Sequence, residues 1–397
     1  MAEQLQTIRT LVRKAKKLYL KKFHEEAKVF AYAPGRVNLI GEHTDYNGGF
    51  VMPMALPLYT VWAGKRYDGT FAEIFTNAAG VEEPTVRFGI YNLDRSGPAW
   101  SNYVKGVLSC YFGKLNAFKA VIVSTVPVGG GLSSSAALSV STYMFLDELN
   151  GGRSELTKIE KALACKKAEN IFAGAPCGIM DPFIALLGEA ESVLLIDCRS
   201  LTFEPITLAD PKIVVLITNC NVRHDLAGGE YDERQKECFK AAELMGKEFL
   251  RDADYMDFRE LLENRFKLKA PTSLLKRARH VISEIKRTFD GARLLKNSKF
   301  EQFGRLMYES HESLRDDFEV SCPELDQLVE LTRGVEGVFG SRMTGGGFGG
   351  CTVTLMYADA VDKLIKRIQK GYDGVPTFYV CKPSNGTKRL CECARVA

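Results

Sequence analysis

The chain has 397 residues, too many for one ordinary core, so its length favours two domains. Its 53 basic and 49 acidic residues leave a formal charge of +4, without the concentrated basic face that nucleic-acid binding requires. No apolar run reaches the roughly 20 residues that span a bilayer. The 11 cysteines are scattered from Cys110 to Cys393 with no CxxC pair, which fits reduced thiols in a cytoplasmic setting rather than a disulfide frame.

In chain order, Leu5, Ile8, Leu11, Val12, Ala15 and Leu18 fall at helical spacing among Arg13, Lys14, Lys16, Lys17, Lys21 and Lys22. The pattern predicts a surface helix packed on the first domain. Glu3, Glu25 and Glu26 argue against a mitochondrial presequence, which is poor in acids. Residues 29–32, 59–65 and 119–126 read as strands, the last being the apolar run KAVIVSTV. A helix is expected over 134–149 and another over 154–172, with Ser154 as N-cap and Gly174 just past the end. Residues 193–197 and 213–218 read as strands, and a domain boundary is placed between them near 205. A charged helical stretch covers about 230–333. The end reads strand 337–343, glycine loop, strand 351–357, helix 358–369, strand 377–381, an order that suits an antiparallel sheet.

Four segments carry chemistry. The first, 127–137, reads PVGGGLSSSAA between a buried strand and a helix start. Helix N-termini leave free N–H groups with partial positive charge, glycines let that backbone approach an anion, and serines add donors, so the segment is built as a phosphate cradle. The second, 345–350, matches GxGxxG at Gly345, Gly347 and Gly350, but a strand rather than a helix follows it. It therefore reads as a hairpin whose backbone comes close to something, not as a dinucleotide fingerprint. The third, 36–49, interleaves Arg36, Asn38, Glu42, His43, Asp45 and Asn47 with Gly41, Gly48 and Gly49. Carboxylates that accept and an imidazole that can donate or accept suit the vicinal hydroxyls of a sugar. The fourth, 175–181, ends in Asp181 among Met180, Pro182 and Phe183, an acid among apolar neighbours and so a candidate base.

In this order the four segments resemble the GHMP family of small-molecule kinases, and within it the branch that phosphorylates galactose. GRVNLIGEHTDYNGG is similar to that branch's signature, PVGGGLSSSA to the family's nucleotide loop and SRMTGGGFGGC to its third motif, over about residues 31–381. The resemblance implies an α+β fold of two domains: an N-terminal mixed sheet with helices over 1–205 and a ferredoxin-like α+β domain over 206–397, with the active site in the cleft between them. It implies transfer of a phosphoryl group from ATP, with Mg²⁺, to the anomeric hydroxyl of α-D-galactose, the first committed step of galactose breakdown. It also implies a cytoplasmic monomer or weak dimer with no nucleic-acid or membrane partner.

By motif, Asp181 would be the catalytic base and Arg36 would stabilise the reacting groups. Arg36, Glu42, His43, Asp45, Gly178, Asp181 and Tyr231 would contact the sugar. Gly129, Gly130, Gly131, Ser133, Ser134 and Ser135 would hold the ATP phosphates, Ser135 and Glu169 would serve Mg²⁺, and Trp100 and Tyr103 would lie on the adenine side. Pro182 departs from the family, which commonly has Gln there; proline lacks an N–H and fixes φ, which puts the loop's fine geometry in question. A kinase for N-acetylgalactosamine or a non-sugar alcohol, and a non-catalytic galactose/ATP sensor, remain alternatives.

Overall fold

A computed structural model describes residues 2–152, 155–174, 177–208, 210–223, 229–268 and 270–390. The backbone forms two compact units, and the division does not follow the chain. One unit gathers Gln4–Arg36, Ala55–Ala190 and the segment from Ser384; the other gathers residues 2–3, Val37–Met54 and Glu191–Pro383. This division differs from a single boundary near residue 205: the chain crosses after Glu3, Arg36, Met54, Ala190 and Pro383. Periodicity is a local signal and could not reveal this, because Val37–Met54 is recruited by distant partners. The Asn38 N–H donates to Thr344 Oγ1 at 3.1 Å, and the Gly41 N–H to Glu284 Oε1 at 2.9 Å.

The first unit is built on a mixed five-stranded sheet in the spatial order Val29–Asn38, Pro53–Arg66, Phe118–Ser124, Phe71–Thr76, Thr85–Gly89. Phe118–Ser124 runs antiparallel to Pro53–Arg66 and parallel to Phe71–Thr76. Side chains alternate across a strand, so neighbours serve opposite faces. Val61 and Ala63 join the core under helix Ile8–Phe23, which buries Leu11, Val12, Ala15 and Tyr19 there. Trp62, between them, stacks on Phe145 of helix Ser134–Leu149 at 4.9 Å and donates its Nε1–H to Ser141 at 3.1 Å. Helices Ala99–Cys110, Lys158–Ala168 and Met180–Leu187 pack around that same helix.

The helix expected over 154–172 is shorter and changes character. Thr157 caps it through a reciprocal capping box with Glu160, and the α-helix runs Lys158–Ala168. Ser154 lies outside the described residues. A π-helical turn, Glu169–Ala173, follows and closes on Gly174 in the left-handed conformation. Such turns recur at functional sites, and here the turn opens on Glu169.

The second unit carries an antiparallel four-stranded sheet in the order Val338–Thr344, Gly349–Tyr357, Ile213–Arg223, Thr377–Cys381. A three-stranded sheet of Phe50–Val51, Ser192–Asp197 and Thr202–Thr207 belongs to it as well. Helices Thr272–Lys296 and Phe300–Asp316 pack side by side, the latter against Val338–Thr344. The main core joins Leu216, Met356, Leu364 and Ile368 to Leu325 and Leu328, and Tyr46 of the polar segment is part of it. Among the described residues no helix is long and apolar enough to cross a membrane.

Candidate functional site

In the first unit, Asp181 lies in the first turn of helix Met180–Leu187. The Arg36 guanidinium grips it as a fork, Nε to Oδ1 at 2.7 Å and Nη2 to Oδ2 at 2.8 Å. The remaining fork nitrogen, Nη1, donates to Gly131 O at 2.6 Å. The Ser133 hydroxyl also donates to Asp181 Oδ2. One arginine thus ties the carboxylate to the glycine loop, in the bidentate geometry that makes Arg–carboxylate pairs strong and directional. The pair is not sealed: the Arg36 side chain is 7% exposed and that of Asp181 22%.

Pro182 removes no helical hydrogen bond. The first backbone bond of its helix is Phe183 N–H to Ile179 O at 3.1 Å, so residue 182 stands in the first turn. N–H groups there have no intrahelical acceptor, and a residue without one fits.

The loop before helix Ser134–Leu149 takes left-handed backbone at Gly129 (φ 70°), Gly131 (φ 73°) and Ser133 (φ 58°), with Gly130 between the glycines. Left-handed residues alternating with ordinary ones turn successive N–H groups toward one side, forming a concavity that suits an anion. Ser133 adopts this conformation without being glycine, which marks local strain of the kind found at functional sites. A cavity of about 370 Å³ adjoins the loop, lined by Gly129, Ser134 and Ser135 together with Trp100, Tyr103 and Thr76. The resemblance placed Gly129, Ser134, Ser135, Trp100 and Tyr103 on the nucleotide side, and all five line this cavity.

Glu169 is 2% exposed, and its Oε1 has no hydrogen-bond partner. Burial, then the charge of Asp181, push its carboxyl up to about 7, eased only in part by the hydroxyls of Ser139 and Ser135. A buried, under-partnered carboxylate near a second acid favours a cation. Among the described residues no three His, Cys, Asp or Glu side chains converge to cage an ion. Mg²⁺ does not need such a cage, because it is commonly held by one or two carboxylates plus phosphates and waters. Gly178 is buried two residues ahead of Met180; Ala175 and Pro176 of the same expected segment lie outside the described residues.

In the second unit the polar segment is held differently. Glu42 is 2% exposed. Its Oε2 accepts from Arg342 Nη1 at 2.6 Å and Asn38 Nδ2 at 2.7 Å, and its Oε1 from Thr344 Oγ1 at 3.0 Å and the Gly345 N–H at 2.9 Å. Burial pushes this carboxyl up, while Arg342 and the Gly345 N–H pull it down. His43 takes φ 62° and lies beside the rings of Phe318 (4.6 Å) and Tyr231 (5.3 Å). Its Nε2 faces Gly346 O at 3.2 Å, and its Nδ1 faces the Tyr46 hydroxyl at 3.0 Å. A carbonyl can only accept, so Nε2 carries the proton and Nδ1 accepts from Tyr46. Burial, with His280 nearby, lowers its pKa to about 3, so the ring is neutral.

Glu42 and His43 are the residues that the resemblance places against the sugar. Both are already partnered within the protein, and a sugar contact through either must displace a partner. Asp45, the more open acid of the segment, caps the N–H of Tyr46 at 2.9 Å, and Tyr231 joins the ring cluster of His43 and Tyr46.

The glycine hairpin 345–350 now has a partner for its close approach. A Cβ on Gly347 (φ 90°) would come within 2.2 Å of Val320 O, and the Phe348 N–H donates to that oxygen at 2.7 Å. Sequence reading missed the residues behind the polar segment: Arg342, Glu284 and His280. Arg342 stands inside the segment SRMTGGGFGGC, whereas Glu284 and His280 lie in a charged helical stretch where nothing local sets them apart.

Comparison with known proteins matches three family models: the galactokinase galactose-binding signature over residues 17–66, the GHMP kinases N terminal domain over 102–189 and the GHMP kinases C terminal over 292–374. Human galactokinase is 49% identical over 387 residues, covering 96% of this chain and 97% of that protein. Galactokinase of Bos taurus is 49% identical over 386 residues, with the same coverage of 96% and 97%. The crystal structure of Lactococcus lactis galactokinase complexed with galactose superposes with a TM-score of 0.87 at 30% identity, covering 94% of this chain and 98% of that one.

Proposed function

The chain belongs to the galactokinase family of the GHMP kinases, and from that premise we propose that it transfers the γ-phosphoryl group of ATP to the anomeric hydroxyl of α-D-galactose, with Asp181 as the base. The observation that carries this reading is the carboxylate of Asp181, held at once by the Arg36 fork and the Ser133 hydroxyl of the glycine loop. Acid, cation and phosphate cradle meet at one point, and phosphoryl transfer consists mainly of such positioning and charge neutralisation.

In this mechanism the N–H groups of Gly129–Ser135 and the start of helix Ser134–Leu149 receive the phosphates, and the cavity beside Trp100 and Tyr103 receives the base of the nucleotide. Asp181 accepts the proton of the attacking hydroxyl. Arg36 fixes the carboxylate's direction and shares the charge that develops on the transferred group. Asp45 and Tyr231 supply hydroxyl partners for the sugar, with His43 and Glu42 holding the segment behind them. The Ser135 hydroxyl and the Glu169 carboxylate would hold Mg²⁺, which when bound neutralises phosphate charge. Oε1 of Glu169, buried and without a partner, supports that role.

ADP release measured across galactose, N-acetylgalactosamine, glucose and mevalonate tests the reading. Turnover with galactose well above the other three is expected. Preference for N-acetylgalactosamine or mevalonate would assign another acceptor, and galactose binding without ADP release would make the chain a sensor.

A further inference from the structure

A buried ion pair adds little stability over apolar packing of the same volume, so a chain of buried charges behind the polar segment needs another reason. Arg342, in strand Val338–Thr344, is 0% exposed. Its Nη1 reaches Glu42 Oε2 at 2.6 Å and Asn38 O at 3.4 Å, while its Nε donates to Ser310 Oγ at 3.1 Å. The Ser310 hydroxyl in turn donates a hydrogen bond to Glu284 Oε1 at 2.6 Å, and that oxygen also accepts from the Gly41 N–H at 2.9 Å. The other oxygen of Glu284 pairs with Arg287 Nε at 2.7 Å.

The relay therefore grips two adjacent residues by different handles: Gly41 by its backbone N–H and Glu42 by its side chain. His280 adds a third, with Nε2 facing Glu42 O at 3.2 Å. The next residue is His43, in its left-handed conformation, and two further on is Asp45. Every partner named here belongs to the unit that holds the polar segment.

We propose that Arg342 is a positioning residue for the acceptor sugar: through Glu42, and through Ser310 and Glu284 to Gly41, it fixes the backbone that leads through His43 to Asp45. The proposal rests on the galactose reading above. A guanidinium is needed because one planar fork must serve a carboxylate and a hydroxyl in different directions; an ammonium on a flexible stem cannot hold both in place.

The test uses the full chain, with galactose and ATP titrated separately and galactose binding measured by calorimetry. Arg342→Lys keeps the charge and loses the fork. Its KM for galactose should rise about 10–100-fold, the worth of one charge-assisted hydrogen bond, with galactose affinity falling in step and the KM for ATP unchanged. Ser310→Ala breaks the relay without removing charge and should raise the galactose KM about 3–10-fold.

A folded Arg342→Lys protein with unchanged galactose KM overturns the proposal, as does a parallel rise in both KM values. If Arg342→Lys does not fold, Ser310→Ala decides by the same criterion. A wild-type chain that binds galactose without releasing ADP overturns the enzymatic reading alone, since the ratio of galactose affinities still judges Arg342. A wild-type chain that does not bind galactose overturns both.

Discussion

Two arginine–carboxylate pairs serve this molecule in opposite ways. Arg36 and Asp181 form a fork in which the acid's side chain remains 22% exposed, whereas Arg342 and Glu42 are 0% and 2% exposed and enclosed by further donors. The first pair leaves its carboxylate reachable by a reacting hydroxyl. The second has its capacity taken up by the protein, so any further contact it makes must displace a partner. Exposure, not residue type, separates a group that can do chemistry from one that places others. The same difference should appear in how each pair fails: the open pair through rate, the closed pair through stability and acceptor affinity.

The largest expected effect lies on the open pair. Asp181→Asn should fold and lose about 10²–10⁴-fold in turnover, the usual worth of a general base; near-normal ADP release by the purified variant would remove Asp181 from that role. The closed pair should answer in the other currency. Arg342→Met leaves Glu42 buried without its cation, and such a loss costs about 3–5 kcal/mol. Urea unfolding would show it as a lower midpoint, whereas an unchanged midpoint would mean that the two pairs do not differ as described.

Protonation offers a smaller test of the closed region. Burial lowers His43 to about 3 and His280 to about 4. Both lie below the ordinary value near 6.5, so the unfolded chain takes up protons first as pH falls, and the folded state loses stability from about pH 6.5 downward. The slope is about 1.4 kcal/mol per pH unit for each ring, or about 2 kcal/mol each between pH 6.5 and 5. Glu169 works the other way: its raised pKa stabilises the folded state as pH falls through about 7 toward the ordinary carboxyl range. The histidine contribution is therefore read from the difference between wild type and His280→Gln. The variant should lose less stability than wild type between pH 7 and 5, and parallel curves would show that His280 is already charged in the fold.

The smallest effect should come from Pro182→Gln. Turnover should not change, because residue 182 lies where an N–H has no helical acceptor. Stability should fall by about 0.4–1 kcal/mol as the unfolded chain regains freedom. A large gain in turnover would instead show that proline distorts the Asp181 turn.

Much of the local structure follows from the chain read in order. Helix Ser134–Leu149 and strand Thr377–Cys381 lie where pattern and punctuation put them. Strands Phe71–Thr76, Thr85–Gly89 and Thr202–Thr207 escaped notice, as did helix Ala99–Cys110. The strands are only five or six residues long, so even the regular alternation of the first two does not stand out from neighbouring loops. The chemical inventory was also legible: glycines and serines at a helix start read as a phosphate cradle, and a dense run of acids, amides and histidine reads as a hydroxyl-binding segment.

What the sequence by itself determined, then, is an inventory of residues equipped for chemistry and the family of reaction they suit, because backbone freedom, charge and hydrogen-bonding capacity are properties of each residue and its near neighbours. What only the tertiary structure decided is their state. It placed Val37–Met54 with Glu191–Pro383, enclosed Glu42 and His43 among partners up to 303 residues away, and left Asp181 within reach. Burial and long-range partners depend on where distant segments meet, and no local pattern encodes that.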